Sequence, residues 1–465
     1  MVFSSGLFLF LFLPLVLTGY FNPLVKGRLF KNAFLLLASI GFYAWGEPVF
    51  VLVMLFSIGV NWLLGLLMAR QEGRSARKIL LCLGVGYNVA LLGVFKYASF
   101  IALNLGLLLR GEGFGLSIAL PIGISFFTFQ ILSYLFDVYY RKTQVQPNPL
   151  HLALYIALFP QLIAGPIVRY ETIAQEITDR REKTEDVVQG FSRFILGLSK
   201  KVLIANYVGY IADQIFSLEG ELSLASAWLG AVAYTLQIFF DFAGYSDMAI
   251  GLGRIFGFHF LENFNYPYMA VSIRDFWRRW HISLGAWFRD YVYIPLGGNR
   301  VSAGRQVVNL LLVWFLTGLW HGAAWTFIIW GLFYLALILL EKFTEIDRKL
   351  KGFSRLYTLL FVIIGWVIFR AESLHEALRF LKALFGLGRG GLTDETFTAC
   401  LSQGKWVLLV AVAACTPLFA VCRRKLASWG RFYQGAAAAG YGALFLLSLL
   451  VCIKSAYNPF LYFNF

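Results

Sequence analysis

A succession of long apolar runs, separated by short polar stretches, most restricts what this chain of 465 residues can fold into. A run of roughly 18 or more residues with few charges predicts a transmembrane helix, because such a helix covers the hydrocarbon core of a bilayer. Transmembrane strands would instead give short segments of alternating hydrophobicity. The runs lie at 3–21, 29–46, 49–69, 79–109, 114–140, 187–216, 223–240, 306–341 (two spans), 356–370, 404–422 and 436–453. We therefore predict an all-α, polytopic membrane protein with about 11–12 transmembrane helices.

The composition supports this class. The chain is 59% hydrophobic and only 14% charged, which leaves too little polar surface for a soluble protein of this length. The net charge of +15 predicts no nucleic-acid partner, because the basic residues are concentrated between the apolar runs, where cytoplasmic loops carry them. Attraction of an anionic cytoplasmic substrate, such as a coenzyme A thioester, stays open as a further contribution. The clusters predicted to be cytoplasmic are Lys26/Arg28/Lys31, Arg70/Arg74/Arg77/Lys78, Arg141/Lys142, Lys342/Arg348/Lys349/Lys351 and Arg423/Arg424/Lys425.

The domain organisation follows from what the sequence does not contain. There is no internal repeat, no low-complexity tract and no soluble domain, so we predict a single membrane domain over 1–465. The five cysteines form no CxxC pair and are interpreted as buried apolar residues, not as metal ligands or disulfides. Segment 2–21 has no basic start and no cleavage motif, which favours a first span over a removed signal peptide.

Two stretches do not fit a simple span. Pro160 and Pro166 interrupt an apolar stretch at 150–168, which predicts a re-entrant segment covered by protein. Arginines and tryptophans alternate densely over Asn265–Arg305. Such a segment is too polar for lipid contact, so we predict one or two helices at the cytoplasmic interface.

His321 is the strongest candidate for catalysis. It lies within a long uncharged run, and an ionisable group at membrane depth is costly and seldom present without a role. An imidazole also takes up and returns a proton near neutral pH, as a catalytic base must. Gly318 and Gly322 allow a neighbouring helix or a ligand to approach closely, and Trp320 is a candidate tunnel residue or an interface aromatic.

Other ionisable residues are candidates for supporting roles. His281 precedes His321 by 40 residues and is interpreted either as a second catalytic histidine or as a solvated interface residue. Asp241 and Asp247 point in different directions on a continuous helix, and each requires a partner at membrane depth. The expected partners are Arg254, Arg274 or a histidine. A structural ion pair that holds helices together and a direct role of the aspartates in catalysis are equally open.

A basic set near residues 274–300 is suited to binding the phosphates of a donor, since guanidinium groups hold phosphate with paired hydrogen bonds. Anchoring at the cytoplasmic face is the alternative. No serine nucleophile stands out, so the residues favour direct transfer, in which a histidine activates a hydroxyl that attacks an acyl thioester. The arginines are Arg274, Arg278, Arg279, Arg289 and Arg300.

Two motifs resemble those of the membrane-bound O-acyltransferases, specifically the bacterial branch that contains the alginate O-acetylation membrane protein. The first is the segment Arg274–Arg300, which begins RDFWRRWHISL and ends YIPLGGNR. The second is Thr317–Gly322, which reads TGLWHG. Segments Asp241–Asp247, Pro160–Pro166, 2–5 and 458–465 are also similar to this branch, so the resemblance covers essentially the whole chain.

This resemblance implies a ring of helices around a central funnel, with His321 as the catalytic histidine and His281 supporting it. It implies that an acetyl group passes from a cytoplasmic thioester, acetyl-CoA or an acyl carrier, to a polysaccharide hydroxyl on the outer face of the bacterial inner membrane. It also implies a separate extracytoplasmic partner of the SGNH-hydrolase type. Bound cofactors and metals are not expected, and the partners are the polysaccharide and membrane lipid.

Three alternatives stay open at this level. Peptidoglycan O-acetylation and D-alanylation of teichoic acid use related branches of the same family. A transporter of lipid-linked sugars would be a different class of protein. Transporters commonly contain inverted repeats and paired broken helices, whereas this sequence has one broken segment and no repeat.

Overall fold

The computed structural model describes residues 1–24, 26–110, 113, 115–455 and 457–461, and every regular element in these ranges is a helix. The all-α prediction is confirmed. The α-helices are α1 Leu13–Tyr20, α2 Arg28–Ala44, α3 Phe50–Arg70, α4 Arg74–Leu92, α5 Ala98–Arg110, α6 Ile124–Tyr139, α7 Pro149–Ala157, α8 Phe159–Leu162, α9 Tyr170–Thr178, α10 Thr184–Ser199, α11 Asn206–Phe216, α12 Leu224–Ile255, α13 Ile273–Arg279, α14 Ile282–Phe288, α15 Ala303–His321, α16 Trp325–Thr344, α17 Ile346–Lys349, α18 Ser354–Arg370, α19 Leu374–Leu384, α20 Glu395–Ala414, α21 Leu418–Leu426 and α22 Arg431–Lys454.

Short π-helical turns join several of these helices without a break, so the continuous helical stretches are longer than the single elements. Eight stretches in the described residues are long and apolar enough to cross a membrane. Two apolar helices, Phe8–Tyr20 and Ile124–Tyr139, are shorter. Together with α2 and α15, the eight long stretches and the two shorter helices account for every apolar run predicted from the sequence. The eight are Phe50–Arg70, Arg74–Leu109, Thr184–Phe216, Leu224–Ile255, Trp325–Thr344, Lys351–Arg370, Glu395–Ala414 and Arg431–Lys454.

The helix boundaries differ most from the sequence expectation around α6 and α12. The run predicted at 114–140 is helical only from Ile124, because Gly123 adopts a left-handed conformation with φ of 77° just before it. Residue 114 lies outside the described residues. In the other direction, α12 continues to Ile255, well beyond the predicted end at 240. Asp241 and Asp247 therefore lie on one continuous helix, and the six-residue spacing between them points their side chains in different directions, as predicted.

The chain divides into two compact units, and the first contains residues 1–194 and 246–261. Within it, α2 packs on α7, and α3, α4 and α6 pack on one another. The proline-containing segment is a broken helix in this unit: α7 ends at Ala157, and α8 begins at Phe159, with Leu158 between them. Residues 152–162, which include most of α7 and all of α8, are buried, whereas Pro149 and Leu150 at the start of α7 are exposed. The buried part matches a segment covered by protein. Its re-entrant placement stays a prediction.

A buried polar network also stabilises the first unit. Arg28 Nη1 donates to Glu182 Oε1 over 2.7 Å, and the hydroxyl of Tyr20 donates to the same carboxylate. Burial alone would raise the pKa of Glu182, but these hydrogen bonds outweigh it and lower the pKa to about 2. Arg180, which is 4% exposed, donates to the carbonyl of Phe256 over 2.9 Å. The network thus joins residues that are far apart in the sequence.

The second unit contains residues 195–245 and 262–465. Its helices α15 and α16 lie in direct backbone contact because glycines face each other. A Cβ on Gly331 would meet the carbonyl oxygen of Trp314 at 2.4 Å, and one on Gly318 would meet that of Phe327 at 2.5 Å. The close approach predicted for Gly318 is therefore used by the neighbouring helix. Helix α16 also packs on α18, and α13 packs on both.

An aromatic cluster fills the contact among α13, α16 and α18. Trp277 lies 4.8 Å from Tyr334 and 5.5 Å from Trp330, and Trp280 lies 4.7 Å from Trp366, measured between ring centroids. Trp330 and Trp366 are buried. This cluster supports the two histidine-bearing segments from one side, and it explains why tryptophan is concentrated in this part of the sequence.

Candidate active site

His321 is the last residue of α15 and lies in an aromatic enclosure in the second unit. Its ring centroid is 4.8 Å from Trp320, 4.9 Å from Trp330 and 5.0 Å from Phe369. Helix α15 ends here because Gly322 is extended, with φ of −176°, and a Cβ on Gly322 would meet the ring of Phe327 at 2.2 Å. Gly322 therefore ends the helix directly after His321, and the ring of Phe327 packs against this glycine.

His281 lies between α13 and α14, the two short helices that the segment 265–305 forms, as predicted. It adopts a left-handed backbone conformation with φ of 45°, which is costly for a residue with a Cβ and is found most often at functional sites. A neighbouring extended segment holds this turn, because Ile282 N–H donates to the carbonyl of Asn263 over 2.9 Å. The imidazole is buried, with 2% of His281 exposed.

The side chain of Asn263 fixes the tautomer of His281. Its Oδ1 accepts from the backbone N–H of Ser283 over 3.2 Å, and this donor requires an oxygen at that position. His281 Nδ1 lies 3.1 Å from the same oxygen and must therefore carry the proton. In the neutral ring Nε2 is then the unprotonated nitrogen, and it has no hydrogen-bond partner within the residues described.

Burial also determines the charge of His281. It lowers the pKa of the imidazole to about 3, so the ring is neutral near pH 7. A neutral imidazole with an available Nε2 accepts a hydrogen bond. This makes His281 suited to orienting a hydroxyl, and a weaker proton acceptor than an ordinary histidine.

Trp320 connects the two histidines. Its ring centroid lies 5.7 Å from His281 and 4.8 Å from His321, so both imidazoles contact the same indole. His281 also contacts Phe242 of α12 at 4.7 Å. Both residues are buried, with His321 4% and His281 2% exposed. The expectation that His321 is reachable from both membrane faces stays a prediction.

Asp241 forms a buried ion pair close to this site. Its Oδ1 lies 2.6 Å from Lys201 Nζ, and the two side chains are 2% and 3% exposed. Its Oδ2 accepts from the backbone N–H of Leu461 over 2.9 Å, and Lys201 also donates to the carbonyl of Pro459. The segment 457–461 is thereby fixed to α12, one residue from Phe242.

The partners expected for the two aspartates were wrong. Asp241 pairs with Lys201, and Asp247 pairs with Arg193 over 2.7 Å in the first unit. Arg254 instead pairs with Asp186. Lys201 lies inside the apolar run at 187–216, and only the folded chain brings it to α12, so spacing alone did not indicate the pair.

Arg274 is engaged within the protein. Its Nε donates to Glu341 Oε2 over 3.1 Å, and its Nη2 lies 3.2 Å from Asp347 Oδ2. Glu341 is fully buried and also accepts from the backbone N–H groups of Ile273 and Arg274, at 2.5 and 3.1 Å. This carboxylate therefore accepts hydrogen bonds from backbone N–H groups in the first turn of α13, which have no partner within the helix. A role for Arg274 in donor binding stays a prediction, but its guanidinium already has two acidic partners.

The other predicted arginines differ in whether an acidic side chain pairs with them. Arg279 pairs with Asp275 over 3.0 Å, and Arg289 pairs with the adjacent Asp290 over 2.6 Å. Arg278 and Arg300 are exposed, and neither has an ion-pair partner within the described ranges. These two have guanidinium groups available for an anionic ligand.

Four residues of this site were not predicted from the sequence: Asn263, Glu341, Trp330 and Phe369. Glu341 had a possible signal, since it is an acidic residue in an otherwise apolar run. Asn263 had none, because its role depends on the backbone of Ser283. Within the described residues no group of three or more histidine, cysteine or acidic side chains is arranged to hold a metal ion.

The fold and the site together define a multi-pass helical membrane protein with two buried imidazoles on one indole. The sequence profile of the membrane-bound O-acyltransferase family matches residues 95–375. The chain belongs to this family, and it is an O-acyltransferase. The transporter alternative is thereby set aside.

Relatives with assigned names cover the chain to different extents. A protein of Pseudomonas putida named "probable alginate O-acetylase AlgI" is 40% identical over 100% of both chains. A peptidoglycan O-acetyltransferase of Helicobacter pylori is 35% identical over 100% of this chain and 98% of its own. A teichoic acid D-alanyltransferase of Bacillus subtilis is 32% identical over 55% of this chain and 70% of its own.

Proposed function

We propose that this protein transfers an acetyl group from a cytoplasmic thioester, acetyl-CoA or an acyl carrier, to a hydroxyl acceptor on the outer face, for the acetylation of an extracytoplasmic polysaccharide such as alginate. The full-length similarity to proteins named as alginate O-acetylases supports this acceptor class. The similarity to a D-alanyltransferase covers only 55% of the chain and supports alanylation less.

The observation that carries the chemistry is the contact of both imidazoles with Trp320. In the proposed step, His321 takes the proton of the acceptor hydroxyl as its oxygen attacks the thioester carbonyl. The carbon–oxygen bond forms, the carbon–sulfur bond breaks, and the proton passes to the leaving thiolate. His281 Nε2 accepts a hydrogen bond that orients the hydroxyl, and the dry surroundings strengthen both interactions.

We assign the binding of donor phosphates to Arg278 and Arg300, with Arg274, Arg279 and Arg289 maintaining the helices that present them. Their exposure, and the lack of acidic partners among the residues that the structure describes, support Arg278 and Arg300 for this role. We further propose that the protein lies in the bacterial inner membrane and passes acetyl to a separate extracytoplasmic SGNH-type partner. The sequence resemblance supports both statements.

Peptidoglycan is the second candidate acceptor, because a full-length relative carries that activity in its name. The test compares a strain lacking this gene with the same strain complemented by the wild-type gene. Ester-linked acetyl is measured separately in exopolysaccharide and in peptidoglycan, and D-alanyl ester in teichoic acid. Loss confined to exopolysaccharide is the expected result. Loss confined to another polymer would contradict the proposed acceptor while keeping acyl transfer.

We expect Asn263→Ala to lower acyl transfer about a hundredfold, because a small displacement of a catalytic group has an effect of that size. Asn263 Oδ1 fixes both the proton and the orientation of His281. The measurement is transfer from labelled donor in membrane vesicles. Asn265→Ala is the matched control, since among the described residues this exposed neighbour forms hydrogen bonds through its backbone, with Arg279, and not through its side chain. Equal activity of the two variants would argue against a positioning role.

A further inference from the structure

Two basic stretches that are far apart in the sequence meet in the first unit. Arg74 and Arg77 begin α4, and Arg141 and Lys142 follow the end of α6. Two neighbouring cavities, of about 420 and 520 Å³, lie between them, and Arg77 and Arg141 line both.

The charge of these cavities is strongly one-sided. Lys142 also lines the larger cavity, and no carboxylate does. Arg74 and Glu72 both line the smaller one, so that its three arginines outnumber its single acidic residue. Cavities with this lining attract an anion and repel a cation.

Arg77 adds an observation that positive surface charge does not explain. The residue is 8% exposed, and its Nη2 donates to the carbonyls of Val138 and Tyr139 over 2.9 and 2.7 Å. Its Nε is buried and has no hydrogen-bond partner in the part of the chain that the structure describes. A buried charged donor without an acceptor is costly, and each such group requires an explanation. The Arg77 side chain lines both cavities, so an anion in either one would offset the charge of this buried guanidinium.

The start of α4 favours an anion at the same place. Its N-cap residue, Gly73, offers no side-chain acceptor to the first turn. The backbone N–H groups of that turn therefore carry an uncompensated partial positive charge, which stabilises a nearby phosphate.

We propose that these two cavities bind the phosphate of an anionic phospholipid headgroup. Basic pockets between transmembrane helices on the cytoplasmic side recognise such headgroups, and the positive-inside rule places both clusters there. Arginine binds phosphate with paired hydrogen bonds, and Tyr139 and Tyr140 beside the smaller cavity are typical of the membrane interface. The residues that line these cavities belong to the first unit, whereas His281 and His321 belong to the second.

The test uses the full-length protein in detergent and measures binding of phosphatidylglycerol and phosphatidylcholine by native mass spectrometry. We expect phosphatidylglycerol to bind more tightly, and Arg141→Gln to weaken it at least about tenfold, as expected for loss of a paired hydrogen bond to phosphate. Arg70→Gln and Lys78→Gln are matched controls, because both residues are exposed, belong to the same basic stretch and line neither cavity.

The controls separate a specific site from general attraction. One charge near an anionic surface contributes about fivefold in affinity, so each control should weaken binding by no more than that. Arg74→Gln serves as a second variant, since Arg77→Gln also removes hydrogen bonds to the end of α6. Displacement of phosphatidylglycerol by inorganic phosphate would support phosphate as the recognised group. Equal effects of Arg141→Gln and Arg70→Gln, or equal binding of the two lipids, would overturn the proposal.

Discussion

Replacing His321 by glutamine should lower the rate of acyl transfer by about 10²- to 10⁴-fold, the contribution of a positioned general base. Glutamine keeps a polar side chain of similar size at this buried position, between Trp320, Trp330 and Phe369. It removes the imidazole that would accept the proton. The loss should appear in kcat, with KM for the donor nearly unchanged, because the interaction is made in the transition state.

The matched control for this variant is His375→Gln. His375 is exposed near the start of α19, so its replacement should change neither kcat nor thermal stability. Both variants are purified in detergent, and their unfolding temperatures are compared before activity is measured. Retention of more than about a tenth of wild-type kcat by His321→Gln would be incompatible with general-base catalysis of this size.

The two histidines could be singled out from the sequence because each is an exception within its local sequence. His321 interrupts a long uncharged run, and His281 lies in a segment too polar for lipid. Their common contact with Trp320 was not predictable, because it depends on how α13, α15 and α16 pack. The role of Asn263 was not predictable either, because it depends on the backbone N–H of Ser283, and no pattern of side chains indicates that contact.

The helical class was predictable from hydrophobicity, since long apolar runs in a membrane can satisfy their backbone only as helices. Helix ends were less predictable. The run before α6 is apolar, yet the left-handed Gly123 delays the helix to Ile124. Charge pairing was the least predictable feature, because Arg274 has acidic partners on α16 and α17 that lie about seventy residues away in sequence. The guanidinium group that the sequence suggested for phosphate binding thus already forms ion pairs within the protein.

Breaking the Lys201–Asp241 pair should have the largest effect on stability. We expect Asp241→Asn to lower the free energy of unfolding by about 3–5 kcal/mol, since it leaves a buried ammonium group without its carboxylate. The two side chains are 3% and 2% exposed, so water cannot replace the lost partner. Asparagine is nearly isosteric and can still accept from Leu461 N–H, which confines the change to charge. Denaturation of the purified protein in detergent measures the effect.

A double variant separates the charge from the packing. Adding Lys201→Met to Asp241→Asn removes the unpaired ammonium, and it should recover most of the lost stability, because a buried ion pair replaced by apolar groups is often nearly neutral. Glu345→Gln is the control, since the Glu345–Arg348 pair has side chains 59% and 74% exposed and should contribute less than about 1 kcal/mol. If the double variant were as unstable as Asp241→Asn, the hydrogen bond from Lys201 to Pro459, and not the charge pair, would be the main contribution. Acyl transfer should follow stability in this series, because α12 also presents Phe242 to His281.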